Sequence, residues 1–414
     1  MYTDLVQKIE SLKRFGNKSG REVTERLLPE LGSPDRGMKI IHIAGTNGKG
    51  STAVYIAAGL QANGYKTGLF TSPHLITIRE RMQIDREMIG RDDFTRLAGK
   101  VLSVGMPEEY TPTFFDICLA TALLWFKENN CDYVVLETGL GGRLDSTRGI
   151  SETPVAGTIT AIGLDHTAIL GDTLEKIAAE KAGIEREGMP VVIAHNKPSV
   201  RKVLEKNASS FLAVDKISDT DERKTNGLFS LALKARDRDK EITPPLEGDF
   251  QYDNLAAALF TLYLTAPDLD KDKVISGIRT VTWPARIEEL SDDPLFIVDG
   301  SHNPQGVEAL SRTLREAHPG MKFVFLMAAM ADKDVSHMIE GTKDIAEYYI
   351  CTKADTPRSL EASRLTEMVR SHGAKAVCAE TLEKALEFAR GSGAPVVSFG
   401  SLYLAGEVLK AYRD

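Results

Sequence analysis

Short apolar runs alternate with helix-like stretches along most of this 414-residue chain. In the first part of the chain, the apolar runs that indicate strands lie at 39–44, 133–136, 155–162 and 190–194, and helical patterns lie at 50–63, 114–128 and 173–184. Strands that alternate with helices usually form a parallel sheet with helices on both faces. The pattern therefore predicts an α/β fold.

A second alternating series follows the segment Trp-Pro-Ala-Arg at 283–286. Its predicted strands lie at 295–298, 322–327, 347–351, 376–379 and 395–399, and a helix is predicted before it at 254–264. Between 200 and 248 the periodicity weakens, which predicts an insertion or exposed loops there. Because the chain is longer than a single hydrophobic core usually supports, we predict two domains, at 1–284 and 285–414, the second smaller and Rossmann-like.

The bulk composition excludes several classes of protein. A net charge of −8 argues against a basic surface that holds nucleic acid, and 42% hydrophobic residues argue against disorder. The four cysteines have no short paired spacing, as expected for reduced thiols. No segment approaches the roughly 20 apolar residues that cross a bilayer, and the first ten residues do not resemble a signal peptide. We expect a cytoplasmic protein without a membrane partner.

A glycine-rich segment joins the first strand to the helix that follows it. The segment at 44–51 reads Ala-Gly-Thr-Asn-Gly-Lys-Gly-Ser. Its glycines permit a tight turn of backbone amides around phosphate, and Lys49 together with the N-terminus of the helix adds positive charge. The alternative is a turn without a ligand. Gly50 separates Lys49 from Ser51, unlike the common phosphate-loop pattern. We predict a P-loop ATPase domain.

Polar side chains follow two further predicted strands. Glu137 follows the run at 133–136, and the pair Asp165-His166 follows the run that ends at Ile162. Residues just past the carboxyl ends of parallel strands line one crevice, which is also where the phosphate loop lies. A carboxylate near nucleotide phosphates suits Mg²⁺, whereas an imidazole is a less usual ligand for so hard an ion. Ordinary surface or capping roles are the alternative.

Lys181 lies on the apolar side of a predicted helix. Leu174, Ile177, Ala178 and Lys181 follow one another at helical spacing, and Asp172 with Glu175 has the spacing of a capping box. Burial would favour a neutral amine, which can react with carbon dioxide to give an anionic carbamate. Alternatively, the lysine reaches solvent or pairs with a carboxylate.

These motifs, taken in order, resemble the folylpolyglutamate synthase and dihydrofolate synthase family of the Mur ligase superfamily. Further matching segments are Ser-Pro-His-Leu at 72–75, Leu-Glu-Thr-Gly-Leu-Gly-Gly-Arg-Leu-Asp at 136–145 and Asp-Gly-Ser-His-Asn-Pro at 299–304. The resemblance covers nearly the whole chain. It implies an ATP-binding Mur-ligase-type central domain at 1–284 and a glutamate-ligase domain at 285–414.

The resemblance also implies roles for individual residues. The residues implied in ATP binding are Thr46, Asn47, Gly48, Lys49, Gly50, Ser51, Asn254, Arg286 and Asp299. The implied Mg²⁺ ligands are Ser72, Glu137, His166 and a carbamylated Lys181. The residues implied at the substrates are Thr113, Phe115, Asp116, Leu144, Asp145 and Ser401, and those implied in catalysis are Lys49, Asp145, Lys181 and His302. For Asp299 and His302 the alternative is a strand-end turn and a helix cap before Pro304.

The implied reaction is the ATP-dependent addition of L-glutamate to a folate or dihydropteroate carboxylate through an acyl phosphate. Its partners would be small molecules, and a monomer is expected. Three departures from the family pattern, at Arg79, Asp116 and Arg148, cluster where the pteridine acid should bind. They favour one alternative, a related ligase for a non-folate acid. A second alternative, from another class, is a regulator that hydrolyses ATP without ligation.

Overall fold

The computed structural model describes residues 2–13, 16–218 and 221–413. The chain divides into two compact units. The N-terminal unit contains the described residues up to Gly163 together with Thr167–Pro245 and Gln251–Val281. The C-terminal unit contains Leu164–His166, Leu246–Phe250 and the described residues from Thr282 onward. Each unit has its own sheet, so the predicted α/β fold is confirmed.

Within the described residues, the sheet of the N-terminal unit has eight strands in the order β4-β3-β2-β5-β1-β6-β7-β8. The strands are β1 (Lys39–Ala44), β2 (Thr67–Phe70), β3 (Met82–Ile84), β4 (Glu87–Met88), β5 (Tyr133–Glu137), β6 (Ala156–Ile159), β7 (Pro190–Ile193) and β8 (Ser210–Ala213). Six of them pair in parallel from β2 to β8, and β3 and β4 add an antiparallel edge. The strand β1 lies between β5 and β6.

Helices cover this sheet. They are α1 (Tyr2–Glu10), α2 (Gly20–Glu30), α3 (Lys49–Ala62), α4 (Arg91–Leu102), α5 (Phe114–Glu128), α6 (Thr167–Leu170), α7 (Leu174–Ala182), α8 (Pro198–Asn207), α9 (Gly227–Arg236), α10 (Phe250–Thr265) and α11 (Lys271–Arg279). A short 3₁₀ turn at Ser146–Gly149 packs against α2. Residues from Gly50 to Leu60 of α3 are all buried, so this helix is a central support of the unit.

Two local predictions are wrong. The region 200–248 does not consist of exposed loops, because it holds most of α8, all of β8 and all of α9. Six of the ten residues of α9 are buried, so its apolar positions do not form the single stripe that periodicity detects. Asp172 does not cap α7; Thr173 does, and its side chain accepts a hydrogen bond from the Lys176 amide.

In the part of the chain that the structure describes, the sheet of the C-terminal unit has six strands in the order β13-β12-β11-β14-β10-β9. The strands are β9 (Glu288–Asp292), β10 (Leu295–Val298), β11 (Phe323–Met327), β12 (Ala346–Cys351), β13 (Ala376–Cys378) and β14 (Val396–Phe399). The helices are α12 (Pro304–Ala317), α13 (Val335–Thr342), α14 (Ala362–Ser371), α15 (Leu382–Gly391) and α16 (Leu402–Arg413). Among these described strands, only β9 runs antiparallel to its neighbour. Among the described residues, no helix is long and apolar enough to span a bilayer.

Replacing Phe229 with alanine tests whether α9 belongs to the core. The Phe229 ring is fully buried and stands edge-on to Phe260 at 5.3 Å and to Tyr263 at 5.1 Å between ring centroids. We expect Phe229→Ala to lower the free energy of unfolding by about 3 to 5 kcal/mol, measured by urea denaturation. The matched control is Phe211→Ala, at an exposed ring in β8, which should cost about 0.5 kcal/mol or less. Equal losses in the two variants would contradict a core role for α9.

Candidate functional site

The turn between β1 and α3 has a backbone that only glycine fits well. Gly45 and Gly48 have φ of 153° and 86°, in the region that side chains with a Cβ disfavour. A Cβ on Gly45 would overlap the Thr160 hydroxyl, and one on Gly48 would overlap the Asn254 amide. The first amides of α3 have no partner within the helix and carry its positive end. The turn therefore has the features of an anion-binding loop.

The loop is fixed to the next strand of the sheet. The amides of Thr46 and Asn47 both donate to the Ala161 carbonyl, at 2.9 and 3.2 Å, just beyond the end of β6. These two amides therefore hold the loop in place. A phosphate bound at this turn would therefore meet the later amides at the start of α3 and the Lys49 side chain.

The phosphate loop lies beside a buried carboxylate. The Lys49 ammonium is 3.6 Å from the carboxylate of Glu137, the last residue of β5, and donates to the Thr46 carbonyl at 3.3 Å. The Ser72 amide donates to the other oxygen of Glu137 at 3.0 Å. Ser72, Glu137 and Lys49, which are far apart in sequence, therefore meet at one edge of the sheet. A carboxylate and a hydroxyl at this position are hard oxygen donors of the type that Mg²⁺ prefers.

Lys181 is buried against the same loop. Its side chain is about 5% exposed, as its place on the apolar side of α7 predicted. Its ammonium donates to the Gly45 carbonyl at 2.6 Å, so it does not extend into solvent. The loop at 139–145 packs closely against α7, since a Cβ on Gly142 would lie 2.7 Å from the Lys181 carbonyl oxygen.

Thr113 and Asp116 form the capping box at the start of α5. Asp116 accepts from the Thr113 amide at 2.8 Å and from its hydroxyl at 2.7 Å, and its other oxygen accepts from the Ser146 hydroxyl at 2.6 Å. The ring of Phe115 lies against Gly139, where a Cβ would come within 2.7 Å. Thr113, Phe115 and Asp116 are therefore packed against the loop that contains Leu144 and Asp145.

Asp145 has both oxygens engaged within its own loop. One oxygen accepts from the Thr147 amide at 3.0 Å and from the Thr147 hydroxyl at 2.6 Å, and the other accepts from the Leu140 amide at 2.7 Å. Burial raises the pKa of Asp145, and burial is also the main reason for the raised pKa of Asp116. Leu144, next to Asp145, has an exposed side chain.

Two polar residues of this region were missed by the sequence reasoning. His42, in the middle of β1, is fully buried, and its Nε2 lies 2.7 Å from the Thr147 hydroxyl. Gln251 is also fully buried; its Oε1 accepts from the Asn254 amide group at 2.9 Å, and its Nε2 donates to the Ser51 hydroxyl at 3.5 Å. The only sequence signal for His42 was a polar residue inside an apolar run, and Gln251 had no such signal because it lies among polar residues at 248–254. Gln251 therefore supports both Asn254 and the start of α3.

In the C-terminal unit, Arg286 and Asp299 lie around the same turn. Asp299 accepts from the Ile287 amide at 3.0 Å and from the Ser301 amide at 2.8 Å. The Arg286 guanidinium donates to the Ala285 carbonyl at 2.9 Å and lies where a Cβ on Gly300 would come within 2.7 Å of it. The turn described as an alternative for Asp299 is therefore present.

The other predicted residues of this unit also support local structure. Asn303, rather than His302, caps α12, and Pro304 is its first residue. The His302 ring makes contacts on both sides, from Nδ1 to the Gly300 carbonyl at 2.9 Å and from Nε2 to Asp165 at 3.5 Å. The Ser401 hydroxyl accepts from the Tyr403 and Leu404 amides at 3.1 and 3.4 Å, at the start of α16.

His166 belongs by its contacts to the C-terminal unit. Its φ is 49°, and burial lowers its pKa to about 4. The neighbouring Asp165 forms an ion pair with Lys333, which the sequence reasoning did not identify. Burial opposes the charge on Asp165, but the hydrogen bond from His302 and the charge of Lys333 lower its pKa overall. Of the predicted metal ligands, Ser72, Glu137 and Lys181 belong to the N-terminal unit.

The residues at the phosphate loop differ from a cluster of strong metal ligands. Among the described residues, no group of three or more histidine, cysteine, aspartate or glutamate side chains could hold a metal ion. Glu137 is accompanied instead by a serine and a lysine. Such a sparse set fits Mg²⁺, which usually keeps several waters and binds through one or two carboxylates and the substrate phosphates.

Two family descriptions match the chain. Residues 43–262 match the Mur ligase middle domain, and residues 285–401 match the Mur ligase glutamate ligase domain. The chain is 33% identical to the dihydrofolate synthase/folylpolyglutamate synthase of Bacillus subtilis over 100% of this chain and 99% of that protein. It is 32% identical to the folylpolyglutamate synthase of Lacticaseibacillus casei, over 98% and 97% of the two chains.

Two solved structures are also similar to this chain over nearly its whole length. Escherichia coli FolC in complex with DHPP and ADP superposes with a TM-score of 0.83 at 25% identity, covering 100% of this chain and 98% of that one. Mycobacterium tuberculosis folylpolyglutamate synthase complexed with ADP and AMPPCP gives a TM-score of 0.82 at 27% identity, covering 95% of both chains.

The burial of His42 predicts a pH-dependent stability. Burial lowers its pKa from 6.5 to about 3, so the folded chain does not take up the proton that the unfolded chain takes up below about pH 6.5. Stability is therefore lost as the pH falls from about 6.5 towards 3. Between about pH 7.5 and pH 5, the titration of His42 alone should lower the free energy of unfolding by about 2 kcal/mol.

His42→Gln should remove this share of the pH dependence, because glutamine keeps an N–H donor for Thr147 but does not titrate. Urea unfolding of the wild type and the variant at both pH values measures the difference. If the two proteins lose equal stability on acidification, His42 is not the neutral buried group described above.

Proposed function

Because the chain belongs to the folylpolyglutamate synthase/dihydrofolate synthase family of the Mur ligases, we propose that it is an ATP-dependent ligase that joins L-glutamate to the carboxylate of a folate. One observation carries the proposal: Lys49 of the phosphate loop lies 3.6 Å from the buried carboxylate of Glu137, which also binds the amide of Ser72. This arrangement brings a cation, a phosphate-binding turn and a metal-type carboxylate together. Those are the groups that phosphoryl transfer requires.

The reaction has two steps. The carboxylate of the acid attacks the γ-phosphate of ATP, which gives an acyl phosphate and releases ADP. The amine of glutamate then attacks the acyl carbon, and phosphate leaves. Lys49 and the amides at the start of α3 stabilise the charge of the transferring group, and Arg286 adds a second cation. Thr46, Asn47, Gly48, Gly50, Ser51, Asn254 and Asp299 complete the proposed ATP contacts.

Mg²⁺ would be held by Glu137 and Ser72, and it would supply charge neutralisation at the ATP phosphates. His166 and Lys181 are the further proposed ligands, with Lys181 as a carbamate. The burial of Lys181 supports that role, because a buried amine is more easily neutral and therefore nucleophilic towards carbon dioxide. Its contact with the Gly45 carbonyl lies at the phosphate loop itself.

The acid would lie along the loop that contains Leu144 and Asp145. Phe115 offers an aromatic ring and Leu144 an exposed apolar side chain, which suit a flat heteroaromatic ring. Thr113 and Asp116 support this surface from the start of α5. Glutamate would bind in the C-terminal domain near Ser401, and the candidates for the base that receives its ammonium proton are His302 and Asp145.

Four further properties of the protein stay predictions. These are the use of dihydropteroate in addition to a folate, the domain limits at 1–284 and 285–414, the cytoplasmic location and the monomeric state. The departures at Arg79, Asp116 and Arg148 bear on the first of them, because the family resemblance implies that these positions lie near the acid.

Lys49→Ala tests the phosphate-loop role. Removing the ammonium should lower the rate of ADP formation by about 100-fold or more, because the charge of the transferring group then loses its closest cation. The control is Lys176→Ala, at an exposed lysine of α7 that pairs with Asp172, and it should leave the rate unchanged. ADP formation at the wild-type rate in Lys49→Ala would show that the loop does not act on phosphate.

A substrate panel tests the ligase reaction itself. The wild type is incubated with ATP, Mg²⁺ and L-glutamate and with either tetrahydrofolate or dihydropteroate, and ADP release is measured together with the mass of the product. We expect ADP and a glutamyl adduct in equal amounts with at least one of the acids. ADP release that needs no glutamate and gives no adduct would contradict ligation and favour a simple ATP hydrolase.

A further inference from the structure

Two adjacent hydroxyl side chains hold two different buried carboxylates. The Ser146 hydroxyl donates to Asp116, and the Thr147 hydroxyl donates to Asp145, each over 2.6 Å. All four side chains are buried. We call Ser146 and Thr147 the hydroxyl fork. The two carboxylates carry like charges and therefore repel each other. A separate hydrogen-bond donor for each one keeps both in fixed positions.

We propose that the hydroxyl fork positions Asp116 and Asp145 for binding of the acid substrate, and that Ser146, Thr147 and His42 are therefore positioning residues of this reaction. The inference rests on the proposed function, because it assumes that Asp145 contacts the acid. None of these three side chains is expected to touch ATP.

The hydrogen bonds of the Thr147 hydroxyl determine which nitrogen of His42 carries the proton. A hydroxyl has one proton, and a charge-assisted bond to the Asp145 carboxylate is its strongest use. Thr147 must then accept from His42, so Nε2 of the ring carries the proton. This assignment agrees with the other ring nitrogen, Nδ1, which has no hydrogen-bond partner among the described residues. The Thr147 amide, which donates to the same Asp145 oxygen at 3.0 Å, completes the arrangement.

Ser146 fits its position only because a glycine faces it. A Cβ on Gly20, the first residue of α2, would overlap the Ser146 hydroxyl. The next residue, Arg21, donates its amide to the Leu144 carbonyl at 3.1 Å. The start of α2 therefore holds the loop from one side, while Asp116 holds it from the start of α5.

The burial of the two carboxylates assigns them different tasks. Both carboxylates have both oxygens engaged in hydrogen bonds, so their exposure distinguishes them, and Asp116 is only about 1% exposed. Asp145 is about 7% exposed and stands next to the exposed Leu144. Asp116 is therefore better suited to fix the loop than to contact a ligand, and Asp145 is the carboxylate that an acid can approach.

The first test removes each hydroxyl with little change in volume. We expect Thr147→Val and Ser146→Ala to raise the KM for tetrahydrofolate by about 10- to 100-fold, because a buried carboxylate loses a charge-assisted hydrogen bond. The KM for ATP should change by less than about twofold. Thr147→Ser keeps the hydroxyl and should restore a KM close to that of the wild type.

The second test replaces the contact between Ser146 and Asp116 with a longer carboxylate facing a smaller side chain. Asp116→Glu lengthens the carboxylate by one carbon, and Ser146→Ala removes one oxygen, so the double variant keeps the number of side-chain heavy atoms. Asp116→Glu alone should overpack the site, and Ser146→Ala alone should remove a hydrogen-bond donor. Each single variant should therefore raise the KM for tetrahydrofolate. The double variant should lie within about threefold of the wild type. If the effects of the two single variants on the KM simply add in the double variant, the coupling of Ser146 to Asp116 is overturned.

Matched controls separate positioning from stability. Ser311→Ala removes a buried hydroxyl that donates to the Gly341 carbonyl, also over 2.6 Å, in the C-terminal unit. Thr342→Val removes a buried threonine hydroxyl that bonds the Tyr349 hydroxyl at 2.8 Å. Both should lower the melting temperature as the fork variants do, without any change in the KM for tetrahydrofolate.

The outcomes distinguish the inference from the proposed function. If the wild type ligates neither tetrahydrofolate nor dihydropteroate, the proposed function is wrong and the hydroxyl fork loses its role with it. If the wild type ligates one of them, the KM for that acid is measured in the variants. An unchanged KM in Thr147→Val and Ser146→Ala then overturns the positioning role of the hydroxyl fork and leaves the proposed function intact. If Thr147→Val does not fold, Ser146→Ala and the double variant decide the outcome.

Discussion

The position of β1 at the centre of its sheet is the constraint on which the candidate site depends. β1 pairs in parallel with β5 on one side and with β6 on the other, so the carboxyl ends of three strands lie side by side. The phosphate loop follows the first strand, Glu137 ends the second, and the Ala161 carbonyl that holds the loop lies beyond the third. Residues more than 100 positions apart along the chain therefore meet, because parallel strands place equivalent ends at one edge.

The same strand also reaches the proposed acid site, through the side chain of His42. His42 is two residues before the end of β1, and it bonds Thr147, which lies 105 residues further along the chain. A polar group inside a core costs free energy unless it is paired, so the contact stabilises the fold in addition to its proposed role in positioning Asp145. One central strand thus supports both the phosphate loop and, through Thr147, the loop at 139–145.

Sequence patterns predicted the local elements closely where periodicity or a motif was strong. β1, α5 and β10 have the predicted limits, and Lys181 is buried on its helix as its spacing indicated. The region 200–248 was predicted wrongly, since α9 is apolar over much of its surface and has no single stripe. The cap of α7 was assigned one residue too early, because Asp172 and Thr173 are both good N-cap residues and only the backbone geometry distinguishes them.

The sequence by itself determined the alternation of strands and helices, the glycine turn with Lys49 and the family signature, because these depend on neighbours along the chain. Only the tertiary structure decided that His42 supports Asp145, that Gln251 bonds Ser51, that Lys333 pairs with Asp165, and that residues 164–166 pack with the C-terminal unit. Each of these contacts joins residues from separate elements, or depends on how distant segments pack. No periodicity or motif spacing encodes them, because burial and packing alone decide which polar groups must pair.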